Sequence, residues 1–150
     1  MPLICCHRGP IAASTSQMGS TPASLRRSFL RESGSSYFRG VLGGLRATLP
    51  AAMPVVIRTS WLPETILGQC VRRDSRFVIQ LNNRMGDDQA VDVLCHEWAH
   101  ALAWNFSLDR LTHSDGLDAV EFERASHDEA WGCAYSRVWR AYLDVIRDAA

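Results

Sequence analysis

Large apolar residues fall on one side of a helix over residues 88–105. With each residue advancing about 100°, Val91, Leu94, Cys95, Trp98, Ala101 and Leu102 lie in an arc about 140° to 260° from His96. A second stripe starts near Asp128: Trp131, Tyr135, Val138, Tyr142 and Val145 recur at threes and fours, which predicts a core-facing helix ending near Arg147. Between 55 and 82 the period shortens. Val55 to Thr59 is short and β-branched. Residues 68–73 and 76–82 read as a hairpin around Asp74-Ser75, with Phe77, Ile79 and Leu81 alternating against Val78 and Gln80. Gly86-Asp87-Asp88 supplies a turn, and its acids suit the positive end of the helix dipole.

The flanks are less regular. Thr21-Pro22 signals a helix start, predicting a short basic helix over 22–32. A further helix is expected over 37–48, weakened by Gly43-Gly44. Residues 1–20 show no period and read as a flexible N-terminal arm. Residues 105–126 are long for a connection, with a helical turn expected over 118–124. The expected architecture is a single α+β domain over 21–150. A small antiparallel sheet would pack on the 88–105 helix and on the C-terminal helix.

Composition changes this picture little: a hydrophobic fraction of 47% in 150 residues supports one real core. No apolar run is long enough for a transmembrane helix and no signal peptide is recognisable, so a cytoplasmic protein without membrane contact is expected. Cys5, Cys6, Cys70, Cys95 and Cys133 are odd in number and lack Cys-x-x-Cys spacing, against a zinc ribbon or disulfide framework. Charge matters more. Every basic side chain other than histidine is Arg, and residues 1–86 carry eleven of these against only Glu32, Glu64 and Asp74. That imbalance is compatible with DNA or another polyanion on the N-terminal half, and equally with a solvated surface in an arginine-biased chain.

The chemistry concentrates in His96-Glu97-Trp98-Ala99-His100. Histidines four apart sit about 40° from one another on a helix, one turn apart, where both can grip one Zn²⁺. Glu97 beside them is the candidate catalytic base. A catalytic zinc takes three protein ligands. The third must come from the remaining His, Asp and Glu. His127 is the preferred candidate; Glu121, Glu123 or Glu129 would instead give two histidines and a carboxylate, as in gluzincins and ImmA-like peptidases. A metzincin extension is absent, because Ala103 and Phe106 stand at its Gly and His positions. His113 reads as a surface histidine or a lining of a substrate cleft, and His7 beside Cys5 and Cys6 lacks ligand spacing. Tyr135 is the candidate helper for a developing oxyanion. Trp131 and Trp139 read as core.

His96-Glu97-x-x-His100, followed by His127-Asp128-Glu129-Ala130-Trp131, resembles the SprT-like (Spartan-type) metallopeptidases, including small versions found in phages. The hairpin from Leu67-Gly68-Gln69-Cys70 to Phe77-Val78-Ile79-Gln80-Leu81 is also similar, and the resemblance covers about residues 37–145. It implies a zincin-like fold and a zinc metallopeptidase. His96, His100 and His127 would be the ligands and Glu97 the base, with a protein or peptide substrate, nucleic-acid-associated proteins among the candidates. Two departures stand out. Asp128 replaces the glycine usual after the third histidine, and the C-terminal zinc ribbon of many relatives has no counterpart here. Two rivals remain from the residues themselves: a catalytically silent, zinc-stabilised binding module, and a nucleic-acid-binding protein using the arginine-rich half.

Overall fold

The structure, a computed structural model, describes residues 5–8, 35–111 and 119–149. The helix expected over 22–32, most of the 1–20 arm and His113 lie outside the described residues. The elements are β1 (Cys5–Arg8), α1 (Ser36–Thr48), β2 (Val55–Ser60), β3 (Ile66–Arg73), β4 (Arg76–Asn82), α2 (Asp87–Leu102), α3 (Phe106–Leu111), α4 (Ala119–Ser126) and α5 (Glu129–Asp148).

Local chemistry sets these boundaries. Ser35 caps α1 by accepting from the Phe38 N–H at 3.1 Å, and Phe38, Val41 and Leu45 form its buried stripe. The β3–β4 hairpin turns at Asp74, whose φ of 51° is left-handed, a conformation that a short polar side chain tolerates. Asp87 and Asp88 sit in the first turn of α2.

The fold is α+β, but the expected antiparallel sheet is mixed. The strand order is β1-β3-β4-β2, with β3 antiparallel to β4 and β2 parallel to it. The chain leaves β2, turns back through residues 61–65 into β3, and the hairpin then inserts β4 between β3 and β2. Asn82 clasps that turn: its Nδ2 donates towards the carbonyls of Leu62, Pro63 and Ile66 at 3.3, 3.3 and 2.9 Å. Part of the arm also differs from expectation, because Cys5–Arg8 pairs antiparallel with β3. The long connection holds two short helices, α3 and α4, rather than one helical turn.

At the centre lies α2, packed against β3 and β4 and also against α5 and α1. The sequence pattern puts an apolar stripe on one side and the histidines on the other. In the structure every residue from Ala90 to Ala101 except Asp92 is buried, histidines included. The Trp98 indole N–H donates to the Leu49 carbonyl at 3.0 Å and ties α2 to the end of α1.

Close approach of α1 to α5 depends on Gly44. A Cβ there would lie 2.2 Å from Val145 Cγ2. Gly44→Ala is expected to lower stability by about 1–3 kcal/mol through overpacking, despite better helix propensity. In a Val145→Ala background the same change should be neutral or stabilising. Thermal unfolding of the four proteins of this cycle measures the coupling.

Candidate metal centre

Two elements bring the histidines together. His96 and His100 come from the C-terminal half of α2, and His127 from the junction between α4 and α5. Their ligand nitrogens all lie within 4.8 Å of one another, and the three side chains are buried or half-buried. His96 Nε2 is 3.2 Å from His100 Nε2 and 3.1 Å from His127 Nε2. Glu121, Glu123 and Glu129 are not part of this group.

Glu123 contributes through its backbone. Its carbonyl accepts from His127 Nδ1 at 2.7 Å. That bond places the His127 proton on Nδ1 and leaves Nε2 as a lone pair turned towards His96, the outer-shell arrangement common at metal-bound histidines. Asp128 also has a task. Its side chain accepts from the Trp131 N–H at 2.9 Å and caps α5, so it starts the helix that follows His127.

The donor set suits a metal ion. Tetrahedral zinc with N ligands at about 2.05 Å sets neighbouring nitrogens about 3.3 Å apart. The two separations from His96, 3.1 and 3.2 Å, are close to that edge, and all three nitrogens lie within 4.8 Å of one another. A proton on His96 Nε2 could bond only one of the two nitrogens facing it, whereas a cation satisfies all three lone pairs. Among the described residues, this is the one group of three or more His, Cys, Asp or Glu side chains positioned to hold an ion.

Glu97, next to His96 in sequence, is fully buried. Strand β3 passes close to it: a Cβ on Gly68 would lie 3.3 Å from Glu97 Cγ and 2.4 Å from Val93 Cγ1. Glycine therefore lets the sheet approach Glu97. Cys95 precedes His96 but belongs to the core, and burial pushes its thiol up to about 12, with Asp92 adding to the shift. It stays a neutral thiol.

Trp131 was legible as an apolar stripe position but does more than fill the core. Its ring centroid is 5.0, 5.4 and 4.5 Å from those of His96, His100 and His127, so one indole flanks all three imidazoles. Tyr135, one turn on, stacks on Trp131 at 5.0 Å with planes 9° apart, and its ring lies 6.1 Å from that of His96. Burial, with smaller contributions from Cys95 and Asp92, raises the Tyr135 pKa, so the phenol keeps its proton at neutral pH.

His100 also lines a cavity of about 20 Å³ with Trp104, Asn105, Asp109, Phe122 and Ser126, room for about one water. Asp109 pairs with Arg72 of β3, anchoring α3 to the sheet, and the Arg72 guanidinium lies 5.8 Å from the centre of the Phe106 ring. Arg84 likewise pairs with Glu64 at 3.4 Å and sits 5.3 Å over Trp61.

No family model, curated protein or solved structure matches this chain. Among the described residues no helix is long and apolar enough to cross a membrane.

Proposed function

We propose that this chain is a zinc-dependent metallopeptidase of the SprT-like, zincin type, acting on a protein or peptide substrate. The observation that carries the reading is the convergence of three imidazole nitrogens with a buried glutamate next in sequence to one of them. A structural zinc has no use for a base in that place.

His96, His100 and His127 would hold the metal, with His127 oriented by the Glu123 carbonyl. A bound zinc supplies Lewis acidity, activating a water and polarising the scissile carbonyl. Glu97 takes the proton from the attacking water and returns it to the leaving amine. Its burial keeps that transfer away from bulk solvent. Tyr135, with its phenol protonated, is the candidate donor to negative charge developing on the carbonyl oxygen.

The test is metal analysis of the purified chain alongside digestion of an unfolded reporter such as β-casein. One zinc per chain is expected, with cleavage stopped by a chelator and restored by added zinc. One tightly held zinc without cleavage of β-casein or of a mixed peptide library would leave the silent binding module instead.

A further inference from the structure

Strand β1 occupies a telling position. It forms one edge of the sheet, paired with β3 in the register Cys5↔Cys70, Cys6↔Gln69, His7↔Gly68 and Arg8↔Ile66. Gly68, opposite His7, is the residue whose missing side chain lets β3 touch Glu97. β1 also packs against α2, which carries His96, His100 and Glu97, and against α4, which leads into His127. The backbone of Cys5–Arg8 thus runs one strand spacing (about 4.8 Å) from the strand that touches Glu97, and it contacts both the helix that carries His96 and His100 and the helix that leads into His127.

An extended polypeptide brought beside Glu97 would need that same lane. Adding a strand to a sheet edge is a general way to hold a peptide whose side chains are not specified, because the backbone makes the bonds. We infer that β1 is an intramolecular occupant of the β3 edge from Ile66 to Cys70, holding closed the lane that an extended peptide substrate must take, so that substrate must displace it. The inference rests on the metallopeptidase reading for the identity of the peptide as substrate. The occupancy itself rests on the strand pairing. β1 is suited to leave: it has only four residues, and its register shifts between His7 and Arg8. Replacing it conserves the ladder on β3, so exchange costs little once a competing strand is present.

Along a strand, neighbouring residues alternate in pointing their backbone groups at the partner. Proline at both positions in Cys6→Pro/His7→Pro therefore removes a ladder bond whichever residue supplies it. The metal-free full chain carrying both changes is compared with the wild type. Amide hydrogen exchange at Ile66–Cys70 should rise, and a synthetic peptide of residues 3–10 should restore protection. Fluorescein-labelled β-casein should bind the variant at least tenfold more tightly than the wild type, by anisotropy, and the same peptide should compete. Unchanged exchange together with unchanged β-casein binding overturns the inference. If the double variant loses its cooperative melting transition, a chain lacking residues 1–10 takes its place under the same criteria. β-Casein that binds more tightly yet is not cut after zinc loading would leave the docking edge standing and remove the peptidase reading.

Discussion

Glu97→Gln is expected to keep one zinc per chain and to lose peptide cleavage by at least about 10²–10⁴-fold in kcat/KM, the usual contribution of a positioned general base. The substitution preserves shape and volume in a site with no room to spare, since Glu97 is fully buried and packs against Gly68 of β3. It also replaces a buried carboxylate with a neutral group, which relieves a desolvation cost, so melting should not suffer greatly. Zinc content, melting temperature and β-casein digestion measured on one preparation separate the possibilities. Retained activity would remove Glu97 as base. Loss of zinc along with activity would mean that the glutamate supports the metal instead.

His127→Ala should instead weaken metal binding, by a factor comparable to that loss of cleavage. Structural zinc sites bind with about 10–16 kcal/mol, so removing one of a few ligands removes about 3–4 kcal/mol, or about 10²–10³-fold in affinity. The fold should survive, because the helix that follows is capped by Asp128 rather than by the histidine. Competition with a chromophoric chelator reads the affinity directly. Full retention of zinc would transfer the third ligand to Glu121, Glu123 or Glu129, although the structure leaves those carboxylates outside the cluster.

Much of this site was legible because its signals are local. His96, Glu97 and His100 share one helical turn, and the stripe along α2 is long enough to define a period. The hairpin was legible through the alternation of Phe77, Ile79 and Leu81, all buried in the structure, but the strand is not half-buried as expected, because Val78 on its other face is buried as well. The parallel pairing of β2 was not, since the β-branched run at Val55 specifies an extended strand and nothing about its direction. Cys5–Arg8 has too few residues to show any period and takes its conformation from the β3 ladder. α3 and α4, of six and eight residues, fall below the length at which a helical stripe stands out.

At the site, His127 was legible as a residue type, but its orientation was not. The group that orients it is the backbone carbonyl of Glu123, and any residue could supply that oxygen. The burial of His96 and His100 was missed for a related reason. A one-sided stripe predicts one covered face, whereas residues distant in sequence, including Trp131, close over the other. Asp128, which stands where the SprT-like pattern that the sequence resembles has glycine, has a plain role in the structure as the cap of α5.

The third histidine stands 27 positions after the second. A metal joining them would act on the unfolded chain as a cross-link, closing a loop whose entropy is removed from the denatured ensemble; in the chain-entropy treatment such a loop is worth about 3–4 kcal/mol. The same logarithm makes the loop forgiving, because doubling its length changes the closure cost by only about 0.6 kcal/mol. A change in the length of this loop therefore costs the cross-link little, provided that Asp109 of α3 keeps Arg72 and the Glu123 carbonyl of α4 keeps His127. The histidine cluster can stay fixed while its surroundings diverge.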